Sequence, residues 1–278
     1  MRLLENQTGQ DQWTSLVDLK TLLYRMTLDS STEFLYGESI NSQETESSTA
    51  EHHEESLAFA EALDAVQLSL AATARTGSNY WLFHTAKLRK NINIVHNKLD
   101  YFVERALDPK KVKVECKYVF IDALAEQTKD PVELRSQLTN TLFAGRDTTA
   151  GTLCWFFFTV GQGKHTAEYQ KLRSIILETF GTYSNPKNIT FESLKRCQYL
   201  QWSLNEILRL YPPVAINARE AMVDTTLPCG GGVDGKAPVY CPKGTEVSWS
   251  VSTRLMSNFS AELIMTAICN APKKRPLG

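Results

Sequence analysis

Residues 144–149 read Ala-Gly-Arg-Asp-Thr-Thr, and this polar stretch interrupts an apolar segment near the middle of the 278-residue chain. The glycine at position 145 costs a helix roughly 1 kcal/mol relative to alanine. Thr148 is expected to bond back to the carbonyl of Ala144, which weakens the helix locally. The stretch therefore predicts a notch where a small ligand can approach the backbone, with Asp147 and Thr148 placed to deliver protons to it. The alternative is a helix-packing notch with an incidental salt bridge.

The sequence around this stretch predicts one long helix from Asp130 to about Val160. Asp130 can cap the helix, Pro131 suits its first position, and Glu133 completes a variant of the capping box. Apolar residues then follow on nearly every side as far as the aromatic cluster 155–158. A helix that is apolar all round belongs in the centre of a protein.

Proline placement divides the remaining sequence into a helical body and an irregular end. The first 108 residues contain no proline, whereas residues 212–278 hold 7 of the 10 prolines. Apolar residues at helical spacing predict further helices, which lie over residues 19–30, 59–70, 92–106, 168–180 and 198–211. Short strands are expected over 214–223 and 239–251, on either side of a glycine loop. The predicted fold is mainly α, with a long central helix in a helical body and minor β structure near the C-terminus.

Charge and cysteine usage exclude several classes of protein. The chain has 30 Lys+Arg and 31 Asp+Glu, so its formal net charge of -1 gives no overall field that would attract nucleic acid. Its six cysteines form no C-x-x-C pair, which excludes a zinc ribbon and a disulfide framework and favours a reducing compartment. No apolar run approaches the ~20 residues that span a bilayer. The chain as it stands is therefore expected to be cytoplasmic.

The glycine loop that begins at Gly230 matches most of a phosphate-binding loop, but its chemistry does not fit. Ala237 stands where a hydroxyl must hold magnesium, and Asp234 places a negative charge where phosphates would lie. Pro238 follows, instead of a helix whose N-terminus could bind phosphate. The loop is predicted to be a flexible hairpin connection.

Glu206 and Arg209 lie three positions apart, which places both on one face of a helix. That helix is rich in leucine and ends at Pro212, so the pair is predicted to be mostly buried. The loss of one partner from a buried pair costs several times more than the loss of a surface pair. The pair is interpreted as structural.

These two motifs, in this order and about sixty residues apart, resemble the cytochrome P-450 family of haem-thiolate monooxygenases. Residues 144–149 resemble the oxygen-activation motif of the family's long central helix, and Glu206-x-x-Arg209 resembles its core salt bridge. Residues 28–39 and 209–221 are similar to the fungal branch that hydroxylates fatty acids and n-alkanes. The likeness covers about residues 10–251, without the family's membrane-anchored N-terminal region. It predicts a partial cytochrome P-450 domain over 1–251 and a divergent, disordered tail over 252–278.

The resemblance also implies roles for individual residues. Asp147 and Thr148 would take the proton-delivery and oxygen-activation roles, with Ala144 and Gly145 forming the wall over the haem. Arg219 would meet a haem propionate. The implied activity is hydroxylation of long-chain fatty acids or alkanes with O2, with haem as the cofactor, a lipid-like substrate and an NADPH-dependent reductase as the partner. Full-length members of the family belong to the endoplasmic reticulum membrane.

The iron ligand is the point at which the sequence departs from this family. The family holds its iron through a cysteine in a Phe-x-x-Gly-x-Arg-x-Cys-x-Gly loop, and none of the six cysteines here lies in such a loop. No metal ligand is therefore assigned. The alternative function is a truncated, catalytically inactive fragment or a helical binding module.

Overall fold

The computed structural model describes residues 17–43, 50–74, 76, 81, 84–108 and 118–251, without the side chains of 50–53 and 74. Its helices are α1 (Leu19–Tyr36), α2 (Ala50–Ala74), α3 (Ala86–Leu107), α4 (Phe120–Gln127), α5 (Pro131–Gly161), α6 (Thr166–Phe180), α7 (Phe191–Arg196) and α8 (Gln198–Leu210). Its strands are β1 (Gly181–Thr182), β2 (Asn185–Pro186), β3 (Ile216–Glu220), β4 (Thr225–Gly231), β5 (Ala237–Cys241) and β6 (Glu246–Ser250). The mainly α fold with minor β structure near the C-terminus is confirmed. The predicted tail over 252–278 lies outside the described residues.

The chain divides into two compact units, Met1–Cys154 and Trp155–Gly278. The boundary falls inside α5, which gives most of its length to the first unit. The predicted domain over residues 1–251 stays a prediction. Within the described ranges, no helix combines the length and the apolar character that a membrane span requires.

The first unit is a helical body with a single apolar core. α2 packs along α3, and α4 contacts both α1 and α3. Three leucines of α5, spaced four residues apart, are fully buried and place one stripe of that helix in the core. The core includes Leu28, Leu35, Phe59, Leu63, Val95, Leu99, Phe102, Leu134, Leu138 and Leu142.

The start of α5 confirms one part of the predicted cap and corrects another. Asp130 Oδ1 accepts a hydrogen bond from the backbone N–H of Val132 at 2.9 Å, as expected of a capping residue. The predicted capping box is wrong, because Glu133 Oε2 instead accepts the hydroxyl hydrogen of Thr128 at 2.6 Å. The first turn is therefore held by two different side chains that precede it.

The prediction that α5 is buried on nearly every side is wrong. Only one stripe of residues 131–150 is buried, and Trp155, Phe157 and Phe158 near the end of the helix are exposed. Within its own unit, the Trp155 ring stacks on Tyr211 with the centroids 4.2 Å apart and meets the Phe158 ring edge-on at 5.6 Å. An apolar helix is buried only where other elements cover it, and composition does not reveal where that is.

The second unit carries antiparallel hairpins. β3 pairs with β6 and β4 pairs with β5, so one hairpin is enclosed within the other along the chain. The glycine loop closes the inner hairpin, where the N–H of Gly230 donates to the carbonyl of Gly235 at 2.8 Å. Both residues have a positive φ, which glycine adopts without strain. The predicted hairpin connection is confirmed.

Candidate active site

The polar stretch of α5 divides its residues between two faces of the helix. Ala144 and Gly145 are exposed and Thr148 is partly buried, whereas Arg146 is buried on the opposite side. Gly145 and Thr148 lie on the same face, as their spacing predicts. We call the face formed by Ala144, Gly145 and Thr148 the α5 strip.

The α5 strip leaves room beside the backbone. A Cβ atom added to Gly145 would have the Ser31 hydroxyl oxygen as its one close neighbour, 3.6 Å away. The Thr148 hydroxyl donates to the carbonyl of Ala144 at 2.7 Å, which is the back-bond that the sequence predicts. The Thr152 hydroxyl makes the same bond to the carbonyl of Thr148, also at 2.7 Å. A flat ligand can therefore approach the helix backbone at Gly145.

Asp147 lies beside the strip, and 16% of its side chain is exposed. Its Oδ1 atom is buried and accepts no hydrogen bond from the described residues. Burial raises the pKa of this carboxyl; the positive charge of Arg146 lowers it and the negative charge of Asp64 raises it further. A carboxyl whose pKa is raised keeps its proton at a higher pH than an ordinary aspartate, which suits a proton donor.

Arg146 is a residue that the sequence analysis missed. It is 2% exposed and is the largest of the fully buried side chains. Its Nη2 donates to Asp64 Oδ1 on α2 at 2.5 Å, and its guanidinium carbon lies 5.3 Å from the centroid of the Tyr24 ring on α1. Its Nη1 lies 3.3 Å from Asp147 Oδ1, within ion-pair distance but not aligned for a hydrogen bond.

One sequence signal could have found Arg146. It continues the series of buried positions that occur every four residues along α5, after Leu138 and Leu142 and before Ala150. A cation in such a series predicts a buried charge, and buried charges require a partner. The partner lies 82 positions earlier in the chain, so no local pattern could identify it.

Glu206 and Arg209 form the predicted pair on α8. Arg209 donates from Nε to Glu206 Oε2 at 2.8 Å and from Nη2 to Oε1 at 2.6 Å. The predicted burial is wrong, because 54% of the Glu206 side chain and 39% of the Arg209 side chain are exposed. α8 turns Ile207 inward and leaves this pair on its outer side. The hydrogen bond from Arg209 lowers the pKa of Glu206, and the structural role of the pair stays a prediction.

Arg219 is held against its own hairpin. Its Nη1 donates to Asn217 Oδ1 at 2.9 Å and to the carbonyl of Ala218 at 2.7 Å. Its guanidinium carbon also lies 5.5 Å from the centroid of the Trp249 ring on β6. Arg219 is exposed and belongs to the second unit, and its predicted contact with a propionate stays a prediction.

The described residues fit a haem on one side only. The open notch at Gly145 and the exposed Ala144 suit the face of a flat ring. The described cysteines are free, and they are Cys154, Cys197, Cys229 and Cys241. None of them lies in the ligand-loop pattern, so no iron ligand is assigned among them. Across the described ranges, no group of three His, Cys, Asp or Glu side chains is arranged to hold a metal ion.

A pocket of about 630 Å³ lies elsewhere, in the second unit. It is formed by α6, α7 and α8 and includes Lys171, Cys197, Tyr199 and Trp202. The Lys171 ammonium lies over the Tyr199 ring, 4.8 Å from its centroid. None of the residues predicted to act in catalysis lines this pocket.

Comparison with known proteins gives matches over most of the chain. The sequence model of the family described as Cytochrome P450 matches residues 1–257. Cytochrome P450 monooxygenase g430 of Fusarium sp is 43% identical over an alignment of 264 positions, and the match covers 90% of this chain and 46% of that protein. Cytochrome P450 52A10 of Candida maltosa is 43% identical over an alignment of 242 positions, and the match covers 84% of this chain and 46% of that protein. The chain thus spans about half the length of the curated relatives it matches.

Two solved structures share the fold. They are a crystal structure of the cytochrome P450DA heme domain and one of a Cytochrome P450 (CYP102L1), each with a TM-score of 0.66 and 16% sequence identity. The match to the first covers 91% of this chain and 50% of that protein's chain. The match to the second covers 92% of this chain and 52% of that protein's chain. At this identity the likeness concerns the fold alone.

Proposed function

This chain belongs to the cytochrome P450 family, and we propose that it serves a monooxygenase that hydroxylates long-chain fatty acids or n-alkanes with O2. The observation that carries the proposal is the α5 strip, an open face of Ala144, Gly145 and Thr148 beside Asp147, whose side chain is mostly buried. The substrate class is supported by the likeness of residues 28–39 and 209–221 to the fungal lipid-hydroxylating branch. The matched fungal relatives support the same branch.

The α5 strip is the part of the chain that would lie against a haem. Ala144 and Gly145 would form the wall over the ring, and Arg219 would meet a propionate once released from Asn217. Binding and activation of dioxygen is the chemistry that a bound haem supplies. Proton delivery and the exclusion of bulk water are left to the side chains of the chain itself.

Thr148 and Asp147 carry the proton chemistry in this proposal. The Thr148 hydroxyl donates to the carbonyl of Ala144, so its oxygen keeps lone pairs with which to accept a proton. When this hydroxyl turns away from Ala144, it donates to a ligand on the strip instead. Because burial raises the pKa of Asp147, its carboxyl is a proton source that lies next to Thr148 in sequence.

The partner and the location follow from the same proposal. Electrons would come from an NADPH-dependent reductase, because monooxygenation consumes two electrons that no described side chain supplies. The place of action would be the endoplasmic reticulum membrane, where lipid substrates partition.

The experiment joins residues 17–251 to the rest of Cytochrome P450 52A10 of Candida maltosa, in place of its matching segment. With haem, reductase and NADPH, the chimera is expected to hydroxylate dodecanoic acid or hexadecane. Thr148→Ala is expected to lower product formation at least tenfold, since a positioned proton donor contributes about 10²–10⁴ in rate. Thr152→Ala, which removes a similar back-bond one turn along α5, is the matched control and should keep most of the activity.

Two results would contradict the proposed function. One is a haem-loaded chimera that oxidises neither substrate. The other is a Thr148→Ala chimera as active as the Thr152→Ala chimera. That result would show that the Thr148 hydroxyl does no more than form its hydrogen bond to the helix backbone.

A further inference from the structure

Arg146 joins three side chains that come from three helices. Its Nη2 is hydrogen-bonded to Asp64 of α2 at 2.5 Å, its guanidinium covers the Tyr24 ring of α1, and its Nη1 lies 3.3 Å from Asp147 of α5. All four residues belong to the first unit. A buried guanidinium is expensive to desolvate, so a position that keeps one must offer compensating partners.

The two carboxylates that face Arg146 are held differently. Asp64 accepts a hydrogen bond from Nη2 although 61% of its side chain is exposed. Asp147 is far more buried, yet its Oδ1 receives no hydrogen bond. Nη1 and Nε of Arg146 are also buried without an acceptor among the described residues. A small rotation of the guanidinium would bring an unused donor onto Asp147.

We propose that Arg146 is a positioning residue that couples the placement of α2 to the charge next to Asp147. While Asp64 holds the guanidinium, Asp147 has a neighbouring cation but no hydrogen bond from it. When α2 moves and Asp64 is drawn away, the guanidinium turns to Asp147 and stabilises its carboxylate form. The Asp147 carboxyl therefore keeps its proton to a higher pH when α2 is in place than when α2 is displaced. The inference rests on the proposed function only for the use to which that proton is put.

Two further titratable groups of the described residues, Tyr24 and Cys154, lie near this cluster. Tyr24 faces Arg146 from α1, and burial raises the pKa of its hydroxyl, so the ring stays neutral near neutral pH. The charges of Asp147 and Cys154 act in the same direction on Tyr24. Among the described residues, the charges that act on Asp147 are those of Arg146 and Asp64, and the coupling uses the charge of Asp64.

The test follows the titration of Asp147 in the 278-residue chain, labelled with ¹³C at the aspartate carboxyl carbons. The Asp147 signal is assigned by its loss in Asp147→Asn. Asp64→Asn is expected to move the Asp147 titration midpoint to lower pH, because the freed guanidinium stabilises the carboxylate. The matched control is Asp100→Asn, which breaks the Arg135–Asp100 pair that also joins α5 to another helix, at 2.8 Å. Arg135 lies about 18 Å along the helix from Asp147, so the control should leave the midpoint unchanged.

A second pair of variants separates coupling through Arg146 from direct repulsion by Asp64. In an Arg146→Gln background, Asp64→Asn should move the Asp147 midpoint clearly less than in the parent. An equal shift in both backgrounds would overturn the proposal, since Asp64 would then act without Arg146. If thermal unfolding shows that Arg146→Gln is not folded, Arg146→Lys takes its place. Its single ammonium lacks the fork that serves two carboxylates, and it should likewise reduce the shift.

The pH dependence of hydroxylation by the chimera separates this inference from the proposed function. A titration shift of Asp147 without any change in the pH–rate profile of the Asp64→Asn chimera would support the coupling and contradict the role of Asp147 in the reaction. An Asp147 midpoint that Asp64→Asn leaves in place would overturn the coupling, whatever the activity. A lower midpoint together with a pH–rate profile moved in the same direction supports both.

Discussion

Asp147 makes folding pH-dependent, because burial raises the pKa of its carboxyl. The folded chain then binds this proton more tightly than the unfolded chain, so stability falls as the pH rises from the usual aspartate range through the raised pKa. We expect Asp147→Asn to unfold at a higher urea concentration than the parent at neutral pH. The difference should close on acidification, when the parent carboxyl is itself neutral.

The control for Asp147 is Glu104→Gln on α3, which removes an exposed carboxylate. It should shift the urea midpoint little at either pH. A gain in stability for Asp147→Asn that has the same size at neutral and acidic pH would mean that the amide fits better for reasons unrelated to ionisation.

Exposure decides how much each ion pair contributes to stability. Glu206→Gln leaves Arg209 in water, so we expect a urea midpoint close to that of the parent. The small contribution of this pair to the free energy of unfolding should disappear as the pH falls. The pKa of Glu206 is lowered in the folded chain, so the pair stabilises the fold only while the carboxylate is charged. Arg146→Gln removes a buried partner and is expected to cost about 3 kcal/mol in urea unfolding. Equal midpoints for the two variants would contradict this ranking.

The sequence predicted the residue contacts that are local and missed those that are not. The back-bond from Thr148 to Ala144 and the pairing of Glu206 with Arg209 connect residues within one helical turn, and both are confirmed. The partner of Arg146 comes from another helix, and only packing brings it near. The exposure of the Glu206 pair is also a property of the packing rather than of α8 itself.

At the scale of elements, the start of α5 depends on one carboxylate. Asp130 Oδ1 accepts the Val132 N–H, one of the helix donors that has no partner within the helix. Asp130→Ala should lower the free energy of unfolding by about 1 kcal/mol. Asp130→Asn keeps an oxygen acceptor and is the matched control, with a loss of a few tenths at most. Equal losses for Ala and Asn would indicate that the charge, and not the cap, matters.

The end of α6 depends on a glycine for two reasons. Gly181 has a positive φ of 77°, and a Cβ added there would clash with the carbonyl oxygen of Asn185. Gly163 also has a positive φ, of 72°, but no atom lies near its would-be Cβ. Gly163→Ala should therefore cost roughly 1–2 kcal/mol from backbone strain alone, and Gly181→Ala should cost more. Equal urea midpoints for the two variants would show that the β1–β2 turn accommodates the added methyl group at no extra cost in stability.

The ends of α5 and α8 were readable from the sequence, but the strands and the burial of the helices were not: the single strand expected over 239–251 is two strands, β5 and β6, and α2 begins at Ala50 rather than near residue 59. Helical periodicity, a cap at Asp130 and the stop at Pro212 located the ends of α5 and α8 closely. The exposed aromatic cluster at residues 155–158 shows the limit, because an apolar side chain carries no information about which element covers it.

At the scale of the whole molecule, none of the six cysteines in these 278 residues lies in the loop pattern with which the family holds its iron. A bound haem would take its thiolate from a cysteine held in the family's ligand loop, with hydrogen bonds to the sulfur. Cys154 lies on α5 itself, about 9 Å along the helix from Thr148. Cys197 is buried at the junction of α7 and α8, and Cys229 and Cys241 lie on the glycine hairpin. Cys116 and Cys269 lie outside the described residues, and neither has the ligand-loop sequence around it.

We therefore expect the 278-residue chain, reconstituted with haem, reduced and treated with carbon monoxide, to lack the red-shifted Soret band of a thiolate complex. The chimera with the rest of Cytochrome P450 52A10 should show that band, because the α5 strip would then face a chain that brings the family's ligand loop. A thiolate band from the 278-residue chain would mean that one of its own cysteines binds the iron, and cysteine-to-serine variants would identify which. If both proteins bind haem and neither shows the band, residues 17–251 themselves would prevent thiolate ligation, and the missing ligand loop would not be the cause.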